Sequence, residues 1–396
     1  MNGRDRNPSS VIWKDPRMPA SPSTARAIND RLALRLLQDE GPLTAGQLKT
    51  LTGLSRPTVA DLVERLQGSG LVHVVGESGA ERRGPNARLY ALVADRAHLA
   101  ALDVRTHGVC LVVADLLGQT LAEATLPVEP DAGTGPAVEQ VVALLERTAK
   151  EAGAERLHSV AVGAPGLIDP ASGELRDTSG LPAWHRELVR VLAQRLPAAV
   201  LVENETNLAA VAEQRLGAAR GQDTFVLMWL GQGIGAAVVL DGEVRRGASG
   251  GAGEIGFMPV PGTSGLPSAT GCDGGFHELA HAGAVARLAA EYGRPGGAEE
   301  AVRDADGPFL DALAERLAIG AASVVAVLDP GLIVLGGELG HAGGQLLASR
   351  VRRALSALTP LATEVRPSAL GDGAVLSGAL LTARDAAQDE LFGPKA

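Results

Sequence analysis

Two carboxylates and two amides crowd one short segment, which joins an apolar, strand-like run to an alanine-rich, helix-like run. It reads ENETN, residues 203–207. A carboxylate within hydrogen-bond reach of a hydroxyl group can act as a general base, and neighbouring amides can orient that group. The segment therefore raises the question of whether its second acid, Glu205, is catalytic.

Glycines and cysteines are the other residues that could serve a site. The 50 glycines concentrate at the ends of strand-like runs, where ligands are usually held in α/β proteins. Cys110 and Cys272 are far apart in the sequence and cannot by themselves form a disulfide framework or a four-ligand zinc site. We expect both cysteines to be small, buried or half-buried side chains.

The elements that position these residues belong to a chain long enough for two or three domains. Its 396 residues are 45% apolar and 21% charged, and no apolar run reaches the ~20 residues that a membrane span needs. Residues 1–24 lack the apolar core of an export signal and are predicted to be a disordered arm. These features predict a cytoplasmic protein that makes no membrane contact.

Charge is divided unevenly along the chain. Residues 1–90 carry 13 Lys and Arg against 9 Asp and Glu, whereas the remainder carries 23 against 37. A basic head on an acidic body is typical of a nucleic-acid-binding module joined to a domain of another kind.

Residues 25–95 contain the helix-capping and turn signals of a winged helix-turn-helix domain. After a first helical run, Thr44 and Gln47 form a predicted capping box, and Ser55 caps a further helix with Pro57 in its first turn. Two strand-like runs joined by a Gly- and Arg-rich loop follow, and this loop is the predicted wing.

The helix capped by Ser55 is the predicted recognition helix. Its apolar stripe leaves the polar residues at its N-terminal end free to enter a major groove, and the wing supplies two cations for a minor groove. The residues predicted to contact double-stranded DNA are Ser55, Arg56, Thr58, Ala60, Arg65, Arg82 and Arg83. For any single arginine the alternative is an ordinary solvated surface charge.

From residue 96 onward, strand-like and helix-like segments alternate in two sets, which predicts a two-lobed α/β body. Lobe one is expected over about residues 96–205 together with the C-terminal helix, and lobe two over about residues 206–377. The predicted fold class is therefore α/β, with a winged helix-turn-helix in front of a two-lobed domain that ends at residue 396.

Five motifs in this body, in this order, resemble those of the ROK family of sugar kinases and sugar-responsive repressors. They are GAPGLID (163–169), ENETNLAAVAE (203–213), LGQGIGAAV (230–238), GGAGEIGF (250–257) and DPGLIVLGGEL (329–339). The leading winged helix resembles the repressor branch of that family. The resemblance implies an actin-like, hexokinase-like (ribonuclease H-like) fold whose two lobes close on a sugar.

The resemblance also indicates where a sugar would bind. Asn204 matches the sugar-binding asparagine, Glu205 occupies the position of the kinase base, and Glu254 and Glu278 match two sugar-binding glutamates. The ligand-binding residues that it implies are Gly166, Asn204, Glu205, Glu254, Phe257 and Glu278. For Asn204, Glu254 and Glu278 the alternative is a local role in holding loops.

Four departures from the kinase pattern predict that the body is not an enzyme and that no residue is catalytic. Arg105 replaces a glycine whose bare backbone admits a phosphate, and Gln232 replaces a threonine in the second phosphate loop. Glu205 replaces an aspartate, and the added methylene moves the carboxylate by about 1 Å, which can cost about a hundredfold in rate. Phe257 replaces a histidine. ATP is therefore not an expected cofactor.

Zinc is not expected either. The family's Cys-x-Cys-Gly-x-x-Gly-Cys motif retains only Cys272, with Phe276 at its last position and no histidine at residue 257. His277 and His281 are nearby, but a set of four ligands cannot form from these residues. The chain is predicted to hold no metal and no cofactor.

The sequence thus predicts a sequence-specific DNA-binding regulator, expected to repress carbohydrate-related genes and to sense a sugar or sugar derivative through an inactive ROK body. A single winged helix buries little surface, so the expected operator-binding unit is a homodimer, or a tetramer. One alternative is a regulator without a small-molecule ligand, whose body is a scaffold for dimerisation or for a protein partner. Another is a bifunctional ATP-dependent sugar kinase.

Overall fold

The structure is a computed structural model, and it describes residues 22–78, 87–129, 132–176, 181–268, 274–303 and 305–393. These residues group into two units divided after Val93, with the residues from Asp389 onward grouped with the first unit. Among the described residues, no helix combines the length and the apolar character needed to cross a bilayer.

The first unit is a three-helix domain with a small antiparallel sheet, and it confirms the predicted winged helix-turn-helix. Strand β3 lies between β1 and β2 and pairs antiparallel with each. The elements are α1 (Pro22–Glu40), β1 (Leu43–Thr44), α2 (Ala45–Thr52), α3 (Arg56–Gly68), β2 (Val72–Ser78) and β3 (Ala87–Leu92).

Local sequence signals account for the boundaries of α2 and α3. Thr44 Oγ1 accepts from the backbone N–H of Gln47, whose side chain bonds back to the Thr44 backbone, so both halves of the predicted capping box are present. Gly53 ends α2 with a φ of 69°, in the left-handed region that favours glycine. Ser55 caps α3 as predicted.

The predicted arm needs one correction. Helix α1 begins at Pro22, so the last residues of the arm predicted over 1–24 are helical, because the helix-forming run starts earlier than its first apolar residue. Residues 1–21 lie outside the described part of the chain.

The second unit begins with a five-stranded mixed sheet in the order β6, β5, β4, β7, β8. Strands β4 to β6 form an antiparallel meander, whereas β7 and β8 run parallel to β4. The elements are β4 (His98–Arg105), β5 (Gly108–Asp115), β6 (Thr120–Pro127), α4 (Thr134–Glu151), β7 (Leu157–Ala164), α5 (Ala183–Arg195) and β8 (Ala199–Asn204). Helices α4 and α5 pack together, and their buried faces share one apolar core with the sheet.

A second five-stranded sheet, in the order β11, β10, β9, β12, β13, forms the other half of the body. Its strands are β9 (Phe225–Leu230), β10 (Ile234–Leu240), β11 (Glu243–Val244), β12 (Leu332–Gly336) and β13 (Glu364–Pro367). Its core includes Phe276 and Phe309, which are 0% and 2% exposed. The two sheets, with the helices that pack on them, confirm the predicted α/β fold class of the body.

Helices connect and cover these sheets. They are α6 (Glu205–Leu216), α7 (Gly275–Ala280), α8 (Ala282–Glu291), α9 (Ala298–Val302), α10 (Pro308–Leu328), α11 (Gly337–Leu358) and α12 (Ala374–Phe392). Helix α6 begins directly where β8 ends, so the acidic segment lies at the carboxyl end of a strand. Helix α12 returns to the first sheet: Gly378 lies against the backbone of Leu208 in α6, and Val375 lies against Gly163 in β7.

Candidate functional site

The N-terminal end of α3 has the form of a recognition helix. Ser55 Oγ accepts from the Thr58 backbone N–H at 3.3 Å, and the two hydroxyls lie 2.8 Å apart. Arg56 and Ala60 are exposed, and Arg56 has no ion pair with any residue in the described ranges. The buried face of the helix carries Val59, Leu62, Val63 and Leu66. The cap therefore fixes a helix end whose cation is free to meet a phosphate or a base.

Arg65, also predicted to contact DNA, is engaged within the domain. Its Nη2 donates to Asp30 Oδ1 at 2.6 Å and its Nε to Asp30 Oδ2 at 3.3 Å. The hydrogen bond to Asp30 raises the pKa of this guanidinium. Arg65 thus connects α3 with α1, and a phosphate would have to compete with the carboxylate. Arg82 and Arg83, the predicted wing cations, lie outside the described residues.

Asn204 lies between the end of β7 and the start of α6 and uses its whole amide there. Its Oδ1 accepts from the backbone N–H groups of Thr206 at 2.9 Å and Asn207 at 3.3 Å, so it caps α6. Its Nδ2 donates to the carbonyl of Gly166 at 3.1 Å and to Glu205 Oε2 at 2.8 Å. Asn204 therefore joins two other predicted ligand-binding residues, Gly166 and Glu205.

Glu205 is the carboxylate most perturbed by this arrangement. Burial raises its pKa to about 8, and the charges of Asp103, Glu254 and Glu338 add to the effect. A carboxyl with such a pKa is mostly protonated at neutral pH. In that form it can both donate and accept a hydrogen bond.

The first acid of the opening segment, Glu203, has a structural role that the sequence alone did not reveal. It is 8% exposed and accepts from Asn207 Nδ2 at 2.9 Å, from the Asn204 backbone N–H at 3.0 Å and from Arg246 Nε at 2.6 Å. It therefore ties the start of α6 to the loop that carries Arg246. The sequence signal was an acid next to a helix cap, but its cationic partner lies 43 residues away.

The loop before Glu254 lies against the loop that follows β7. Gly250 approaches the backbone of Ile168, and Gly253 approaches the backbone of Ala236, so closely that a Cβ at either glycine would overlap a carbonyl oxygen. Both have positive φ, at 80° and 92°. This packing places Glu254 near Glu205, and burial raises the pKa of Glu254 as well.

Phe257 and Glu278 differ in how they relate to this cluster. Phe257 ends the short 3-10 helix that begins at Ile255, and its ring is 46% exposed. Glu278 is held by Ser264, whose backbone N–H and Oγ donate to the carboxylate at 3.0 and 2.8 Å. Those hydrogen bonds lower the pKa of Glu278. This geometry corresponds to the local role stated above as the alternative for Glu278.

Arg105, which stands at the first phosphate-loop position, is bound by neighbouring groups. Its Nε donates to Asp103 Oδ2 at 2.7 Å, and its Nη2 donates to the carbonyl of Asp372 at 3.0 Å. Asp103 is 2% exposed, and burial raises its pKa even though Arg105 acts in the opposite direction. The guanidinium thus joins β4 to the 3-10 helix Gly371–Gly373.

A further residue at the second phosphate loop escaped the sequence analysis. Glu338, in the first turn of α11, lies directly over Gly231, so that a Cβ there would overlap the carboxylate. Gln232, the next residue in the turn between β9 and β10, is exposed. A carboxylate over the turn repels a phosphate rather than attracting it.

Two of the family's zinc positions, those of Phe257 and Phe276, lie within the described residues and carry no ligand atom. Phe257 offers no ligand atom, and Phe276 is buried against α10, where its ring fills the space beside Gly320. The rings of His277 and His281 stack at 4.3 Å, and His281 Nδ1 lies 2.7 Å from the His277 carbonyl. Within the described ranges, which leave out Cys272, no group of three His, Cys, Asp or Glu is arranged to hold a metal ion.

Comparisons with known proteins identify the two domains of the chain. A model of the ROK family matches residues 99–386, and a model of the MarR family matches residues 28–84. The xylose repressor of Caldicellulosiruptor bescii is 22% identical over 382 residues, which cover 90% of this chain and 95% of that protein.

Two solved structures are similar to this fold. One is a ROK family transcriptional regulator described as a homolog of the E. coli MLC protein, with a TM-score of 0.74, 21% identity and coverage of 93% of this chain and 98% of that one. The other is the ROK hexokinase of Thermus thermophilus, with a TM-score of 0.61, 29% identity and coverage of 74% and 99%. On these grounds the chain belongs to the ROK family.

Proposed function

We propose that this chain is a DNA-binding transcriptional repressor of carbohydrate-related genes, in which a ROK body without kinase activity senses a sugar or sugar derivative. The observation that carries the proposal is the joining of two domains in one chain: a MarR-type winged helix at 28–84 and a ROK domain at 99–386. The relative named as a xylose repressor matches across 90% of this chain, including both domains.

The operator is read by the end of α3. Arg56 is exposed and carries no carboxylate partner among the described residues, whereas Arg65 is neutralised by Asp30. Arg56 is thus the leading candidate for a base or phosphate contact, with Ser55 and Thr58 holding the helix end. Two copies of the domain in a homodimer would place two such helices on successive half-sites.

The effector is bound by Asn204 and Glu205, at the carboxyl end of β8, and by Glu254, whose loop packs against the loop after β7. Phe257, three residues after Glu254, is exposed and available to the same ligand. A protonated Glu205 can donate to one sugar hydroxyl and accept from another. The Asn204 amide must exchange its bonds to Gly166 and Glu205 for bonds to the ligand. A polyhydroxylated neutral molecule meets these demands better than an anion does, because the surrounding groups are carboxyls.

Catalysis is absent because the nucleotide region is closed to phosphate. Arg105 is already bonded to Asp103 and to the Asp372 carbonyl, and the Glu338 carboxylate lies over the turn at Gly231. The base position holds Glu205 in place of the aspartate of the kinases. Measurable ATP turnover with a hexose would contradict this part of the proposal.

DNA binding is tested by fluorescence anisotropy with DNA fragments from the region upstream of the gene that encodes this chain. Arg56→Ala should weaken binding to the preferred fragment by about fivefold to 150-fold, since a good base contact is worth about 1–3 kcal/mol. Arg35→Ala, an exposed arginine on α1, is the matched control and should change affinity far less. Equal losses in both variants would mean that Arg56 is an ordinary surface charge.

Effector binding is tested by thermal shift with sugars, amino sugars and sugar phosphates, with and without ATP and magnesium. A ligand at a hundred times its Kd stabilises the folded state by about 2.7 kcal/mol, and Asn204→Ala should abolish the shift.

A second candidate function, a regulator whose body is a scaffold without a ligand, is favoured by the full use of the Asn204 amide within the protein. It predicts no shift with any of these compounds while operator binding remains.

A further inference from the structure

A second concave site lies in the half of the body that contains α11. It is an open cavity of about 960 Å³, bounded by the later part of α11, the connection from α11 to β13 and the start of β12. The size falls within the range of about 300–1,000 Å³ that is usual for small-molecule sites. The charged side chains that line it are Arg352, Arg353, Glu364 and Arg366. Gly166, Asn204, Glu205 and Glu254 are not among its lining residues.

Two arginines give this cavity its charge. Arg352 and Arg353 are both exposed, and the guanidinium group of neither has an ion-pair or hydrogen-bond partner in the part of the chain that the structure describes; the Arg353 carbonyl accepts from Ser356 Oγ at 2.8 Å. Arg366 is different, because it pairs with Glu364 and donates to the Ala218 carbonyl at 2.8 Å. The cavity therefore carries two uncompensated positive charges on a chain whose net charge is −10.

Helix geometry explains why both arginines line the same cavity. It does not explain why this part of α11 carries two positive charges. Ser349, Arg352, Arg353 and Ser356 are spaced by three or four residues and lie on one side of α11. A favourable interaction with the helix dipole is confined to the last turn, and the last turn of α11, which ends at Leu358, contains no basic residue. The dipole therefore does not account for the pair.

The chemistry of the pair selects the ligand. A guanidinium presents parallel N–H groups that match the oxygens of a phosphate or a carboxylate, and charge-assisted pairs of this kind are stronger than neutral hydrogen bonds. We propose that this cavity binds a small anion that bears a phosphate or carboxylate group, held by Arg352 and Arg353. The body then has two ligand sites of opposite preference, one lined by carboxyls and one by guanidinium groups.

Isothermal titration calorimetry on the full chain tests this, with inorganic phosphate, pyrophosphate and citrate as probes at constant ionic strength and sodium chloride as the blank. Saturable binding of at least one probe is expected, and comparison of pyrophosphate with citrate separates phosphate from carboxylate ligands. The double variant R352A/R353A should raise the Kd by about tenfold or more, since it removes both guanidinium groups that hold the anion. R147A/R316A removes two helical arginines outside the cavity and should leave the Kd within about twofold.

Three results would overturn the proposal. The first is a wild-type chain that gives no saturable heat with any probe at millimolar concentration. The second is equal weakening by both double variants, which would indicate general charge screening. The third is a change of oligomeric state in R352A/R353A, measured by sedimentation, which would identify the cavity as a contact between copies of the chain. If the double variant does not fold, the single variants R352A and R353A provide the same comparison.

Discussion

Replacing Glu205 by glutamine should stabilise the protein, and the gain should depend on pH. Burial and the neighbouring carboxylates raise the pKa of Glu205 from 4.5 to about 8. Below pH 4.5 both folded and unfolded chains hold the proton, and no penalty exists. As the pH rises from about 4.5 to 8, the unfolded chain loses the proton while the folded chain keeps it, so the free energy of unfolding falls.

The magnitude follows from the width of that window. One pH unit corresponds to about 1.36 kcal/mol, so the penalty at pH 7 is about 3 kcal/mol if the whole shift is realised. Glutamine cannot ionise, and its carbonyl oxygen can still accept from Asn204 Nδ2, which donates to Glu205 in the native chain. The E205Q variant should therefore match the native protein near pH 4.5 and exceed it by a growing margin up to about pH 8.

The assay is thermal unfolding of both proteins across this pH range. The exposed Glu146 on α4 provides the control, since E146Q removes a carboxylate without altering this cluster. Parallel curves for E205Q and the native protein would refute the reasoning, because they would mean that Glu205 ionises normally in the folded state. A native protein more stable than E205Q at pH 8 would refute it more strongly.

Two further substitutions test single contacts in the body, one at Glu203 and one at Phe276. Arg246→Ala leaves the nearly buried Glu203 without its cation and should lower the free energy of unfolding by about 1–3 kcal/mol in chemical denaturation; Arg245→Ala removes an exposed ion pair and should cost less than about 1 kcal/mol. Gly320→Ala places a Cβ against the ring of Phe276 and should destabilise by about 1–3 kcal/mol in the same measurement.

The glycine substitution has an internal control. Gly135, in α4, has nothing within 4 Å of an added Cβ, so Gly135→Ala should stabilise slightly through helix propensity. If Gly320→Ala changes the free energy of unfolding no more than Gly135→Ala does, Phe276 does not pack tightly against α10.

The sequence was sufficient to predict the helix starts that depend on interactions between residues close in the chain. The cap of α3 joins Ser55 to Thr58, and the capping box before α2 joins Thr44 to Gln47, so each is visible within four residues. The order of the five glycine-rich and acidic motifs was sufficient for the family, which the match over residues 99–386 confirms.

The missed contacts join residues that are distant in the sequence. Glu203 meets Arg246 across 43 residues, Arg105 meets the Asp372 carbonyl across 267, and Arg65 meets Asp30 across 35. Helical spacing alone can place a polar residue on the outer side of a helix, but it cannot tell whether a carboxylate from another helix is there. For this reason Arg65 was grouped with Arg56, although only Arg65 has an acidic partner on α1.

The position of Asn204 determines how a ligand could be sensed. A ligand shifts an equilibrium between two states only if it interacts differently with them. The Asn204 Nδ2 links the Gly166 carbonyl, after β7, to Glu205 at the start of α6. A sugar that takes these hydrogen bonds breaks that link, so its binding acts directly on the contact between the loop after β7 and the start of α6. Asn204→Ala removes both the ligand contact and the link that the ligand would break, so it should abolish the response of operator binding to the effector.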